Sequence, residues 1–264
     1  QLAKLVMSEL TAKQNIKAIV TAIKAEEQSL RSHYPILNQQ NAIAMIILLA
    51  SLFSLIGVAT LYYLAIIPSW LCIILAAFIT SVSHELEHDL IHKQYFSNHP
   101  FIHNFMMLTV WLMRPNTVNP WYRRKIHLHH HKVSGTSQDL EERLVGNGIK
   151  SPFLRALVIT DGLLGLLVNT KRFSKEISGF KFLRVFNAGF PVATAYFAIL
   201  YGVIVYYVVQ FVQPFTLPPW GAELLAMAEF LMVVLIVPNI IRSSSLNLVT
   251  SSMHYYGGVN NLLE

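Results

Sequence analysis

The chain of 264 residues is 54% hydrophobic and only 13% charged, with a mean hydropathy of +0.47. An ordinary soluble domain has roughly a quarter of its residues charged, so the composition excludes that class and indicates a membrane protein. The net charge is +6 and the single cysteine, Cys72, lies in an apolar run, which excludes a disulfide framework and a cysteine-based zinc knuckle. We expect the partners to be the lipid bilayer and membrane-borne molecules, and we expect no nucleic acid.

Residues 1–40 are predicted to form an amphipathic helix that lies on the membrane surface. Apolar residues recur at i, i+3, i+4 spacing with lysines between them, as in Ile16, Ile19, Val20 and Ile23. Such a pattern is typical of an interfacial helix. The alternative is a helix packed on the rest of the protein, and the pattern alone leaves both open.

Residues 41–264 are predicted to form one membrane domain with four spans. Uncharged or weakly charged apolar runs long enough to cross the hydrocarbon occur at about 42–67, 69–92, 185–212 and 219–241. Pro191 is expected to bend the third span. Two other apolar segments, 99–113 and 152–170, are too short or too charged to cross, so we expect them to be interfacial or re-entrant.

This arrangement places all 20 Lys and Arg residues on one side of the membrane. The positive-inside rule makes that side cytoplasmic, in a bacterial inner membrane or the endoplasmic reticulum, with both termini on it. The predicted fold class is therefore all-α, a four-helix transmembrane bundle with cytoplasmic or interfacial helices that carry the histidine motifs described next. Glu229 lies near the middle of the fourth span, where either a functional role or a protonated carboxyl bonded to a neighbouring helix would explain it.

Two groups of histidines have helical spacing near the cytoplasmic boundary. The first group is His84, His88 and His92, and the second group is His127, His130 and His131. Residues three and four apart share a helix face, so each group forms a stripe. Neutral imidazoles suit iron, zinc and copper, and two such stripes would enclose metal if their helices packed side by side.

The remaining histidines lack this spacing, and three acidic residues lie between the members of the first group. His33, His99, His103 and His129 are expected to have no ligand role. Glu85 and Asp89 are candidates to orient the rings from outside the metal's own ligand set, and we expect Glu87 to be no closer to the metal than that.

The two histidine groups resemble the first and second histidine boxes of the membrane fatty acid desaturase and hydroxylase family. The resemblance implies two iron ions, oxygen as co-substrate, and removal of hydrogen from an acyl chain held in an apolar channel. It also implies a lone histidine after the last span, a position that His254 fits, and a final H-x-x-H-H box. No histidine follows His254, so we expect a fragment that ends before that box and is inactive alone.

Oxygen reduction needs electrons from outside, because no haem or flavin motif is visible. The expected donor is an electron-transfer protein of the ferredoxin or cytochrome b5 type. Arg123, Arg124 and Lys125, beside the second group, would meet an acidic donor or an acyl carrier, or would simply attract anionic lipid.

Two alternatives remain open from the sequence. The segment His84-Glu85-Leu86-Glu87-His88 is a literal H-E-x-x-H, the signature of a zinc metalloprotease, here an intramembrane one in which Glu85 would activate water. That interpretation leaves the second histidine group unexplained, since a catalytic zinc takes three protein ligands. The other alternative is a non-catalytic histidine-rich metal or haem-binding membrane protein.

Overall fold

The computed structural model describes residues 2–134, 136, 138–146 and 149–253. Every regular element in these ranges is helical, which confirms the predicted all-α class. By packing, the chain divides into two compact units, residues 1–46 and residues 47–264. The histidines of both groups belong to the second unit.

Twelve α-helices lie in the described part of the chain. They are α1 (Leu2–His33), α2 (Gln40–Tyr63), α3 (Ser69–Ile91), α4 (Pro100–Met113), α5 (Pro120–Val133), α6 (Leu140–Leu144), α7 (Pro152–Thr160), α8 (Gly162–Glu176), α9 (Phe182–Asn187), α10 (Val192–Val212), α11 (Pro219–Leu231) and α12 (Val237–Met253).

Within the described residues, four helical segments are long and apolar enough to cross a membrane. They are Pro35–Tyr63, which joins a 3₁₀ turn to α2, then Ser69–Ile91, Val192–Val212 and Pro219–Thr250. Their number agrees with the four predicted spans. The segments 99–113 and 152–170, expected not to cross, form the short helix α4 and the pair α7 and α8, which is broken at Asp161.

Two prolines explain where the spans depart from simple helices. The third span begins at Val192 rather than at 185, because α9 ends at Asn187 and Pro191 precedes α10. A proline removes a helical N–H donor and its ring crowds the preceding turn. In the fourth span a π-helical turn at Met232–Ile236 ends two residues before Pro238, and π-helical turns and prolines are both known causes of kinks in long helices.

The carboxyl group of Glu229 in the fourth span accepts a hydrogen bond from the Tyr207 hydroxyl on α10. This contact joins two neighbouring spans. Of the two explanations that the sequence left open, the geometry therefore favours a carboxyl bonded across helices. Nearby, Tyr196, Leu200 and Ile236 form an apolar cluster between the same two spans.

A second apolar cluster fixes the short helices around the histidines. Leu166, Phe173, Ile177 and Val185 are buried together, with Tyr122, Leu140 and Leu144 packed against them. The cluster thereby joins α8 to the flanks of α5 and α6. Burial of these side chains holds α5 and α6 together, and α5 packs against α3.

Candidate metal centre

The two histidine stripes lie on helices that pack side by side. His84 and His88 lie in the last turns of α3, where the span ends. His92 is the C-cap residue of the same helix. The second group lies on α5, whose first turn is capped by the Asn119 side chain, which accepts a hydrogen bond from the Tyr122 N–H at 2.8 Å. The Asn119 amide also donates to the Ala188 carbonyl at 2.8 Å, so the start of α5 is fastened to the turn before α10.

Three imidazole nitrogens from the two stripes converge on one point. Nε2 of His127 lies 3.0 Å from Nε2 of His92 and 3.0 Å from Nε2 of His131, and the His92 and His131 nitrogens are 3.3 Å apart. The His88 ring is close as well, with its centroid 4.9 Å from those of His92 and His127. His88, His92 and His127 can each direct one nitrogen to a common position.

This triangle fits a shared metal ion better than it fits hydrogen bonding alone. Donors bound at about 2.1 Å and at right angles lie about 3.0 Å apart, which is the spacing seen here. A carboxylate oxygen of Glu141 lies 2.9 Å from His127 Nδ1, and a carboxylate only accepts, so Nδ1 carries the hydrogen. His127 Nε2 therefore presents its lone pair towards two other nitrogens, an arrangement that a cation stabilises.

The surroundings of His92 and His131 favour the neutral, ligating form of these two rings. Burial lowers the pKa of His92, and the neighbouring His127 and His88 lower it further. The pKa of His131 is also lowered, by burial and then by His127 and His130. Neutral imidazole is the form that binds iron, zinc or copper.

A second cluster lies beside the first and combines one ring with two carboxylates. Nδ1 of His130 is 2.6 Å from Oδ2 of Asp139 and 3.7 Å from Oε1 of Glu142. Asp139 is fully buried, and its other oxygen accepts the Glu142 N–H at 3.2 Å as the cap of α6. The hydrogen bond from His130 to Asp139 raises the pKa of His130. These three residues are close enough to hold a second cation.

The acidic residues Asp139, Glu141 and Glu142 were missed by reasoning from the sequence. Helical periodicity does not reveal them, because α6 has only five residues. A usable signal was present nonetheless: three carboxylates in four positions follow the second histidine group, in a chain with only 14 Asp and Glu residues.

Burial tends to raise the pKa of Glu141, but the hydrogen bond from His127 and the charge of Arg123 outweigh the effect of burial, and the pKa is lowered.

The helix that presents these carboxylates is tied to α8. Gln138 donates from Nε2 to the Glu176 carbonyl at 2.6 Å and accepts the Ser178 N–H at 2.9 Å. Arg143, which is buried, forms an ion pair with the Glu176 carboxylate. The position of α6 therefore depends on contacts made well outside the histidines.

The other predicted site residues are placed as follows. His84 lies one turn further into α3, outside the close group, and its Nδ1 is buried with no hydrogen-bond partner in the described part of the chain. His254 lies outside the described residues. His129 is exposed on α5, and His103 is buried with Nδ1 2.9 Å from the Tyr95 carbonyl oxygen.

The three acidic residues on α3 have different environments. Asp89 accepts a hydrogen bond from the Tyr95 hydroxyl at 2.7 Å and lies 3.6 Å from His88 Nδ1. Glu85 is exposed and faces a groove beside Phe78. It shares the lining of that groove with His84, but it does not line the larger cavity that contains His88 and the second histidine group.

Glu87 is buried in an ion-pair network directly behind the histidines. It contacts the guanidinium of Arg114, and each of these two side chains is only 1% exposed. Arg123 lies 2.9 Å from the same carboxylate and 3.9 Å from Glu141. Arg123 therefore points inward, and of the three basic residues expected to face a partner, Lys125 is the exposed one.

A cavity of about 750 Å³ opens beside both clusters. Its wall includes rings of both histidine groups and side chains of α8 and α10, such as Leu163, Phe197 and Tyr201. The lining is mostly apolar, and the volume is within the range of sites that bind small organic molecules. An apolar molecule in this cavity would therefore contact the histidines.

Comparison with models of known families gives a match to the fatty acid desaturase family over residues 64–262. No curated protein and no solved structure matches the chain. The matched range includes both histidine groups, the carboxylates of α6 and three of the four apolar helices. The chain is therefore a member of the fatty acid desaturase family, an all-α integral membrane protein of the oxidoreductase class.

Proposed function

We propose that this protein is an oxygen-dependent di-iron oxidoreductase that introduces a double bond or a hydroxyl group into a fatty acyl chain. The observation that carries the proposal is the convergence of histidine nitrogens from α3 and α5, 3.0–3.3 Å apart, beside a mostly apolar cavity that His127 and His131 line. Family membership supports the reaction class.

In this proposal four rings would hold one iron ion: His88, His92, His127 and His131. The second ion would be held by His84, by Nε2 of His130 and by His254, and Asp139 would orient the His130 ring from its Nδ1 side. Bound iron would supply the oxygen activation that an unactivated methylene requires, since no amino-acid side chain can do so.

The chain's own residues would orient the rings and shield the substrate. Glu141 and Asp139 accept hydrogen bonds from Nδ1 of His127 and His130, which directs Nε2 of each ring away from the carboxylates. Leu163 and Phe197 line the apolar part of the cavity, where they would hold the acyl chain and exclude water. Electrons would come from an external protein of the ferredoxin or cytochrome b5 type, which would dock on the exposed basic side near Lys125.

The direct test is turnover. Full-length protein in vesicles is supplied with acyl lipid, oxygen and a reduced electron-transfer protein, and the lipid is analysed by mass spectrometry. The proposal expects a product 2 Da lighter or 16 Da heavier that forms only with oxygen and is absent in His92→Ala. Cleavage of a membrane peptide that depends on Glu85 would instead support the zinc-protease alternative.

A further inference from the structure

Arg242 is a buried cation in the fourth span. It is 5% exposed and lies on α12, close to where the last span meets the histidine-bearing end of α3. Its Nε donates to Oδ1 of Asn239 at 3.1 Å and its Nη2 donates to Oδ1 of Asn116 at 3.0 Å. Both partners are neutral amides, so they satisfy hydrogen bonds without balancing the charge.

The two amides are themselves held so that their oxygens face the guanidinium. Nδ2 of Asn116 donates to the Ser243 hydroxyl at 3.0 Å, and Nδ2 of Asn239 donates to the Met113 carbonyl at 3.1 Å. With both NH₂ groups engaged elsewhere, each Oδ1 is left to accept from Arg242. The guanidinium is therefore fixed by the surrounding structure rather than free to turn towards water.

Arg242 differs in this respect from the other buried arginines. Arg114 contacts Glu87, and Arg143 contacts Glu176. Among the residues that the structure describes, Arg242 contacts no carboxylate. An arginine in a membrane span is costly unless its charge is compensated, so an anion bound at this position would be stabilised.

The position faces the substrate space. Arg242 lines the cavity of about 750 Å³ that contains the second histidine group, together with His84. The same two residues also line the mostly apolar groove of about 420 Å³ between α3 and α12, together with Leu246 and the exposed Glu85, which forms no ion pair with Arg242 among the described residues. Nη1 of Arg242 has no hydrogen-bond partner within the described ranges, so one edge of the guanidinium is available to a molecule in these cavities.

We propose that Arg242 binds the oxyanion end of the acyl substrate, either a carboxylate or a phosphate oxygen. The planar guanidinium suits both groups, because it can donate two parallel hydrogen bonds to them. The apolar walls that Leu246 and Phe197 provide would take the hydrocarbon part. The substrate is then an anionic lipid or acid rather than a neutral ester or an alkane.

This inference rests on the proposed function for the identity of the acyl substrate, but binding can be measured without turnover. The full chain is placed in nanodiscs of uncharged lipid, and binding of tritiated dodecanoate is measured by scintillation proximity. Unlabelled methyl dodecanoate, which has the same chain without the charge, and dodecyl phosphate serve as competitors.

Wild-type protein should bind one of the two anions at least about 10-fold more tightly than the methyl ester, because hydrogen bonds to charged groups are the strong ones. Preference for dodecanoate identifies a free acid as the source of the oxyanion, and preference for dodecyl phosphate identifies a phosphate head group. Arg242→Gln should abolish the preference and leave methyl ester binding within about two-fold. Arg242→Lys, which keeps the charge, should retain part of it. Lys171→Gln, which removes an exposed positive charge from α8, should behave like the wild type.

Three results would overturn the assignment. They are equal wild-type affinities for the anions and the methyl ester, a preference that survives in Arg242→Gln, or complete competition by inorganic phosphate alone. The wild-type comparison and the lysine variant decide the matter even if Arg242→Gln fails to fold. If dodecanoate binds through Arg242 and no oxidation follows, the proposed reaction fails and the binding site stands. If the methyl ester is oxidised as fast as the acid, the proposed reaction stands and the assignment of Arg242 fails.

Discussion

Glu141 offers the sharpest test of how the metal centre is organised. Its Oε2 accepts a hydrogen bond from His127 Nδ1 at 2.9 Å, which directs the lone pair of Nε2 towards His92 and His131. Replacement of Glu141 by Leu removes the acceptor, so His127 can place its hydrogen on Nε2 and lose the ligating lone pair. Replacement by Gln keeps an acceptor oxygen and loses only the charge.

Loss of such an outer carboxylate typically weakens metal binding about 10–100-fold. The Glu141 side chain keeps 24% of its exposure, so solvent screens part of its charge. We therefore expect Glu141→Leu to weaken iron binding by about 10–100-fold and Glu141→Gln by less than about 10-fold. Glu141→Leu should lose more iron affinity than Glu141→Gln, because only the Leu variant removes the hydrogen-bond acceptor while both variants remove the charge.

The assay is competition for iron between the purified protein and a chelator of known affinity. Glu223→Gln serves as the control, because Glu223 is exposed near the start of α11, at the far end of the fourth span from Arg242. Equal affinities in the wild type and Glu141→Leu would refute the argument that Glu141 sets the His127 tautomer. A larger loss of iron affinity in Glu141→Gln than in Glu141→Leu would refute it as well.

Three further predictions concern stability. Glu87→Gln leaves Arg114 buried without its carboxylate, so the free energy of unfolding in detergent should fall by about 3–5 kcal/mol. An unchanged denaturation midpoint would show that the Glu87–Arg114 pair does not stabilise the protein. Phe173→Ala opens a cavity in the cluster that holds α5 and α6, so the free energy of unfolding, measured by chemical denaturation, should also fall by about 3–5 kcal/mol. A fall of less than about 1 kcal/mol would show that neighbouring side chains fill the cavity and would contradict the rigid packing assumed for this cluster. The pKa of His130 is raised by Asp139, so this contact stabilises the metal-free protein fully below the ordinary histidine pKa of about 6.5 and less as pH rises through the raised value. The melting temperature of metal-free protein should therefore fall as pH rises above neutral, and Asp139→Asn should lose that pH dependence. The same change of melting temperature with pH in both proteins would refute a stabilising contact between His130 and Asp139.

Much of the fold follows from local patterns in the sequence. Apolar run length alone predicted four membrane-crossing helices, since hydrocarbon thickness sets a minimum length. The i, i+3, i+4 spacing identified which histidines share a helix face, and His129, which breaks the spacing, lies exposed. The start of the third span was harder, because a run that stays apolar through Pro191 conceals the break before α10.

The surroundings of the histidines depend on contacts between distant segments. Asp139 and Glu141 reach His130 and His127 only because Gln138 and Arg143 fasten α6 to α8. Arg242 was one of 20 basic residues assigned to the cytoplasmic side, and only packing against Asn116 shows that its guanidinium lies inside. No local spacing rule connects residues so far apart in the chain.

The most direct measurement is the iron content of three proteins expressed and purified in parallel: the wild type, His127→Ala and His129→Ala. The two variants remove the same side chain from the same helix, two positions apart, and only His127 lies among the converging nitrogens. The account predicts that His129→Ala retains the iron content of the wild type and that His127→Ala loses most of it. Equal iron in all three proteins, or equal loss in both variants, would contradict it.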